Sequence, residues 1–296
     1  MDTVVWDKNG VLIRKLVAPN PSPMTYTGTN TYLLGDGDVA VIDPGPRNKE
    51  HFEAILASLG STERVSHILV THTHLDHSPL ARELADATGA PIFAFGQAHA
   101  DRSDVMQALN KSGDLGGGEG IDHDFRFDIR VSDGDTITGS NWEVTALHTP
   151  GHLSNHLCFA VRDVVFSGDH VMGWATSLVS PPDGDLSAFM WSCDRLLGRT
   201  DQAFFPGHGE AVLTPQERVQ WLIDHRRSRE AQILQTLADV KSATIPELTA
   251  LIYVEVDKAL HAAAARNVLA HLIDLWERNV VTATPDLGAS AAFSIV

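Results

Sequence analysis

Two cysteines, Cys158 and Cys193, are all that the 296 residues contain. They form no CxxC pair and no disulfide framework, which excludes a cross-linked secreted scaffold and suits a reducing compartment. The stretch from Met1 to Lys8 lacks the basic start and long apolar run of a secretion signal. A cytoplasmic location is therefore expected. Nowhere do about 18 apolar residues follow one another, so no membrane span is expected. Basic side chains are also scarce, with 22 Lys and Arg against 38 Asp and Glu, a net charge of −16. Residues 1–214 hold 14 basic and 28 acidic groups, or −14, and residues 215–296 hold 8 and 10, or −2. Polyanions are held chiefly by neutralising their phosphates, so strong generic nucleic-acid binding is disfavoured and a small-molecule substrate favoured. A hydrophobic share of 43% and a length beyond the common domain size suggest one large domain plus a smaller one.

What the chain does have is histidine in one place. Val70-Thr71-His72-Thr73-His74-Leu75-Asp76-His77 puts three imidazoles and a carboxylate within six positions, directly after the apolar strand pattern Val65 to Val70. Imidazole and carboxylate are ligands that borderline metals such as zinc prefer. In an extended chain His72 and His74 point the same way, while Asp76 and His77 turn to another face. One loop could thus serve two adjacent ions.

Around it the chain reads as strands, then helices. Residues 11–18 and 31–42 look like strands, the latter a hairpin turning at Gly35 to Asp38. The hairpin ends at Asp43-Pro44-Gly45-Pro46, where Asp43 fits a turn residue and a support for the metal loop equally well. Helical spacing marks 50–59 and a stretch from Ser78 to Gly89. Asn110 to Asp124, with five glycines, reads as a flexible surface loop. A second antiparallel layer is expected from 128–131, 135–138 and 142–147, followed by strands at 156–161 and 164–168. His152, Asp169 and His208 then stand in loops at strand ends, where ligands from distant sequence can meet. From Thr214 a long amphipathic helix is expected, then three shorter helices and a closing hairpin at 280–282 and 293–296.

His72-x-His74-x-Asp76-His77, His152, Asp169 and His208 follow the ordered ligand set of the metallo-β-lactamase superfamily, which residues 11 to about 240 resemble. The runs Gly28 to Leu33, Ile42 to Gly45, His148 to His152 and Ser167 to His170 resemble more closely the β-lactamase-like group that includes the animal mitochondrial endoribonuclease. The winged-helix-like tail fits that group too. The resemblance implies a four-layer αββα sandwich in residues 1–240 and a small winged-helix-like domain in 241–296. It implies two zinc ions, with iron or manganese as alternatives. One would sit on His72, His74 and His152, the other on Asp76, His77 and His208, with Asp169 bridging. Two such ions about 3.5–4 Å apart can hold a hydroxide and lower its pKa toward neutrality. Asp76 would bind metal and take the water proton, and His170 is the proton-donor and substrate-contact candidate. Asn30 and Trp174 are further substrate-contact candidates, although turn stabilisation fits Asn30 better and plain packing fits Trp174 almost as well, with the loop 177–185 as a pocket wall. His148 and His156, beside ligands, could each support a ligand, touch substrate or be an ordinary strand-end polar residue, and His67 reads as a core histidine.

The expected activity is metal-dependent hydrolysis of a small ester, thioester, lactone or amide. Endoribonuclease or phosphodiesterase activity is the alternative, followed by iron-dependent oxygenation. A winged-helix regulator comes after these, because Arg266 and Arg278 on the last helix are offset by Asp274 and Glu277 and fit packing or homodimerisation better than reading DNA. The only basic cluster, Arg226, Arg227 and Arg229, reads as ion pairs with Asp224 and Glu230.

Overall fold

The computed structural model describes residues 3–255, 257 and 261–296. The first sheet grows from β1 (Thr3–Lys8), β2 (Val11–Val17), β3 (Asn30–Leu34) and β4 (Asp38–Ile42), an antiparallel meander. β1 was not expected from the sequence, although Asn9 and Gly10, both at positive φ, make the tight turn that pairs it with β2. Helix α1 (Lys49–Ala57) leads to β5 (Arg64–Leu69), helix α2 (Leu80–Thr88) to β6 (Ile92–Ala94), and helix α3 (Asp104–Ser112) toward β7 (Ile129–Arg130). β4 to β7 run parallel, so β7 closes this sheet instead of opening the second layer as its position after a loop had suggested.

The second sheet contains β8 (Thr136–Thr138), β9 (Glu143–His148), β10 (Leu157–Val161) and β11 (Val164–Gly168). After helix α4 (Leu186–Leu197), β12 (Ala203–Pro206) pairs parallel with β11 and completes it. Ile13, Leu34 and Leu69 from the first sheet meet Val144, Phe159, Phe166 and Phe205 from the second in one buried core. Each such side chain contributes roughly 1.5–3 kcal/mol on burial. On the outer faces α1 and α2 cover the first sheet, with Ile55 and Leu84 against Val41 and Ile68. Phe189 and Leu196 of α4 cover the second against Val165 and Phe204. The order is helix, sheet, sheet, helix.

Helix α5 (Pro215–Val240) then runs from one core into another. Val219, Leu222 and Ile223 join the layer behind the second sheet, whereas Ile233 and Leu237 belong to a separate C-terminal cluster. That cluster gathers β13 (Ala243–Thr244), α6 (Ile245–Ile252), α7 (His261–Glu277), β14 (Val281–Thr284) and β15 (Ala292–Ile295) around Leu248, Val268, Leu272 and Phe293. The sequence suggested separate helices at 261–265 and around Leu269. Instead α7 is continuous through both, because the alanine-rich start carries no breaker.

The glycine-rich segment differs most from expectation. Its first residues end α3, which Ser103 caps and Gly113 terminates in the left-handed conformation. The remainder is anchored: Leu115 and Ile121 are buried, and Gly120 O accepts from Leu75 N–H at 2.7 Å. The glycines make this route possible, since Gly116, Gly117, Gly118 and Gly120 all have positive φ.

His271, at the centre of α7, is buried, and among the described residues neither ring nitrogen has a hydrogen-bond partner. Burial, then the charges of Arg226 and Arg229, push its pKa down to about 3. It stays neutral in the fold while the unfolded chain takes up a proton below about pH 6.5, so its contribution to stability declines as pH falls from there toward 3. His271→Leu is expected to raise stability at pH 7. The advantage should grow by about 2 kcal/mol on going to pH 5, read from denaturant midpoints at the two pH values.

Candidate metal centre

Every strand preceding a proposed ligand ends at the same edge of the two sheets. β5 delivers the 70–77 loop, β9 the loop of His152, β11 Asp169 and β12 His208. The structure brings all seven residues together. His74 Nδ1 lies 3.0 Å from His72 Nε2 and 3.0 Å from His152 Nε2. His208 Nε2 is 3.1 Å from Asp76 Oδ2 and 3.4 Å from His77 Nε2. Asp169 stands between the two groups, Oδ2 at 3.7 Å from His152 and 3.4 Å from His208, Oδ1 at 3.5 Å from His77. The donor atoms of His72, His74, His152 and Asp169 lie within 4.8 Å of one another, as do those of Asp76, His77 and His208.

The outward-facing ring nitrogens fix which atoms face inward. His152 Nδ1 donates to Leu178 O at 2.7 Å, and His208 Nδ1 to Gly28 O at 3.2 Å. His77 Nδ1 donates to Asp43 Oδ2 at 2.9 Å. Thr71 Oγ1 gives its own proton to Asp43 Oδ2 at 2.7 Å and accepts from His72 Nδ1 at 2.9 Å. With Nδ1 so occupied, four histidines aim Nε2 at the interior, the arrangement that outer hydrogen bonds impose on metal ligands.

A divalent cation fits this donor set. Donors bound tetrahedrally at 2.0–2.2 Å stand about 3.3–3.6 Å apart, close to the spacings here. Among the described residues the buried Asp169 Oδ1 has no hydrogen-bond donor, a costly condition that a cation relieves. The electrostatics agree. Burial opposes charge on His77, yet Asp76, Asp169 and Asp43 overcome it and raise its pKa well above the usual histidine value. His208 rises to about 9 for the same reason, its burial outweighed by Asp169 and Asp76. Burial, then neighbouring imidazoles, keep His72 and His74 neutral, His74 falling to about 3. Carboxylates that draw protons onto two buried imidazoles also draw a cation.

Asp43 is the support left undecided by the sequence. It is buried, sits at φ +50, and accepts three hydrogen bonds, two from Thr71 and one from His77. Thr71 itself was missed, because a threonine between strand and histidine gives no signal of its own. His156 Nε2 accepts from the Asp169 backbone N–H at 3.2 Å, and so fixes the carboxylate without consuming it. His148 stacks on Phe95 with centroids 4.0 Å apart. His67 lies against Phe93 and Trp142.

A cavity of about 580 Å³ opens onto His74, Asp76, His152, Asp169 and His208. Met24, Pro46, Leu75, Leu153 and Leu178 supply its apolar wall. The three expected substrate contacts are not among the lining residues. His170 is fully buried, packed on Phe189 at 4.5 Å with Nε2 facing Cys193 Sγ, so it cannot reach the cavity as a proton donor or contact. Asn30 is buried too, and its Nδ2 donates to Pro206 O and Gly209 O, holding the His208 loop. Trp174 is partly exposed and stacks on Tyr26 at 5.0 Å, beyond the cavity lining. Among the described residues Arg226 makes no ion pair with a carboxylate; it is buried and donates to Ser177 O and Asn267 Oδ1.

The sequence pattern of the Metallo-beta-lactamase superfamily matches residues 24–213. The chain belongs to the metallo-β-lactamase superfamily. Residues 244–289 match the Beta-lactamase associated winged helix domain, which places this superfamily member in the β-lactamase-like group carrying that domain. A beta-lactamase-like protein 2 homolog of Drosophila melanogaster is 33% identical over 272 residues, 88% of this chain and 86% of its own. An atrochrysone carboxyl ACP thioesterase of Aspergillus fumigatus is 30% identical over 236 residues, 77% of this chain and 65% of its own. In structure, a metallo-beta-lactamase family protein of Thermus thermophilus aligns with TM-score 0.77 at 23% identity, covering 96% of this chain and 98% of that one. Among the described residues no helix is long and apolar enough to cross a membrane.

Proposed function

We propose that the chain is a dinuclear metal-dependent hydrolase of a small ester, thioester, lactone or amide. Residues 1–240 would form the catalytic domain and 241–296 the accessory winged-helix domain. The observation that carries this reading is the cavity wall: beside the convergent histidines and carboxylates it is largely apolar, and no Lys or Arg is among its described lining residues. A phosphodiester or polynucleotide would find no cation of the protein there to meet its charge. An uncharged acyl group finds a surface that removes it from water. The thioesterase name of the Aspergillus fumigatus relative supports the thioester end of this range.

His72, His74 and His152 would hold one cation, Asp76, His77 and His208 the other, and Asp169 would face both. Zinc suits the N and O donors, with iron or manganese as alternatives. When bound, the pair supplies a water of lowered pKa and polarises the carbonyl oxygen. The Asp76 carboxylate, steadied by Thr29 Oγ1 at 3.1 Å, faces the cavity and is placed to hold the proton leaving the attacking water. Met24, Leu75, Leu153 and Leu178 orient the acyl chain and exclude bulk water.

The test is a hydrolysis panel on the zinc-loaded full chain: aryl esters, acyl thioesters, lactones, an aryl phosphodiester and RNA. Carbonyl substrates are expected to exceed phosphodiesters in kcat/KM by about 100-fold, some 2.7 kcal/mol in the barrier. Chelation should abolish the activity and added zinc restore it. Faster cleavage of RNA, or oxygen consumption supported by iron alone, overturns the proposal.

A further inference from the structure

We infer that Arg266, on helix α7 of the winged-helix domain, is a positioning residue for the substrate cavity of the catalytic domain. The inference rests on that cavity being the acyl site of the hydrolase proposed above. Arg266 Nη1 donates to Leu115 O at 2.5 Å and to Pro181 O at 3.0 Å, while Nη2 lies 3.9 Å from Glu119 Oε2. The two carbonyls belong to two adjoining loops that both contribute to the cavity wall.

The first loop supplies Glu119 and Gly120 to the lining and is tied to the metal loop beneath. Gly120 O accepts from Leu75 N–H at 2.7 Å, and Asp122 N–H donates to Thr73 O at 2.8 Å. The second supplies Leu178, Ser180 and Asp183, and its Leu178 O holds His152 Nδ1. From inside, Asp183 joins the loops: Oδ2 accepts from Gly118 N–H at 2.6 Å, and Oδ1 from Arg102 Nη2 at 2.6 Å. From outside, Arg266 is the corresponding clasp. Contact is close enough that a Cβ on Gly117 would lie 2.9 Å from Pro182 Cδ, and one on Gly116 3.3 Å from Arg266 Nη2.

The chemistry of the clasp is specific. Four glycines in left-handed or related conformations leave the 116–120 segment little stiffness of its own, because glycine has the most backbone freedom to lose. A guanidinium is a rigid multi-donor group able to serve two carbonyls at once, whereas an ammonium on a flexible stem is a point donor. Arg266 thus sets the spacing of the two loops, and the C-terminal domain acts in cis on how the acyl group is held. His72, His77 and His208 keep supports outside both loops, on Thr71, Asp43 and Gly28, so the effect falls on binding more than on turnover.

The experiment compares the zinc-loaded full chain with Arg266→Met and Arg266→Lys, by steady-state kinetics on the preferred carbonyl substrate and by amide hydrogen exchange. In Arg266→Met, KM is expected to rise about tenfold, the scale of one charge-assisted hydrogen bond, with kcat within about threefold and zinc content unchanged. Exchange at Gly118, Leu75 and Asp122 should quicken by a similar factor while β14 and β15 keep their protection. Arg266→Lys should fall between the two proteins in both readouts. Unchanged KM and unchanged loop exchange in Arg266→Met overturn the inference. So does faster exchange spread equally over β14 and β15, which marks a residue that merely holds its own domain together. If the wild type cleaves no carbonyl substrate, the hydrolase reading fails, and the exchange data alone decide for or against the clasp.

Discussion

Asp169→Asn is expected to lower kcat/KM by roughly 1,000-fold or more and to reduce bound metal from the two equivalents per chain proposed above to one or fewer. The carboxylate lies within 3.7 Å of His77, His152 and His208, and among the described residues its Oδ1 has no hydrogen-bond donor. Asparagine keeps the shape but removes the charge and replaces one carboxylate oxygen by an amide N–H2 that has no lone pair to offer a cation. The His156 contact to the backbone N–H of residue 169 survives the change, so the loop itself should remain in place. Metal analysis, kinetics and circular dichroism on the same preparation separate a lost ligand from a lost fold. Full metal content with undiminished hydrolysis would remove Asp169 from the site.

The second large effect is expected at a residue that touches neither cavity nor proposed metal. Asp43→Ala removes the acceptor for Thr71 N–H, Thr71 Oγ1 and His77 Nδ1, all buried. Stranding buried donors costs about 1–3 kcal/mol each, so a loss of about 3–5 kcal/mol in stability is expected after partial relaxation. Released from Asp43, the rings of His77 and His72 can turn, and metal affinity should fall 10- to 100-fold. Asp43→Asn, which tolerates the positive φ and retains one acceptor oxygen, should lie between. Competition titration against a chelator and denaturant midpoints give the two numbers. An Asp43→Ala protein with wild-type zinc affinity would show that the rings are held by packing alone.

These two residues also mark what the sequence could and could not reveal. Asp169 stood out as a candidate because it ends a buried apolar strand and keeps the place of a ligand in the order that the superfamily resemblance implies. Asp43 stayed undecided, because Asp-Pro-Gly is a turn signal in its own right. His170 illustrates a different limit: neighbours in a loop share a location but not a direction, and one residue past Asp169 the side chain enters the core against Phe189. Asn30 supports Pro206 and Gly209, about 176 positions away, and no local pattern encodes such a partner. In the fold, the alternating apolar strands were readable, but the two-residue β7 carries no periodicity and joins whichever edge is open. The glycine-rich segment was misread for a related reason. Glycine signals conformational freedom, and the clamps that use up that freedom, Asp183 and Arg266, come from elsewhere in the chain.

Helix α5 gives the molecule a thermodynamic property that neither cluster has alone. A single rod buries Val219 and Leu222 at one end and Ile233 and Leu237 at the other. Melting either end frays a helix that the other needs, so ordering one half raises the odds that the other is ordered. Any cation taken up at the sheet edge therefore shifts the whole chain toward the native state by mass action, and part of that gain is felt in the winged helix.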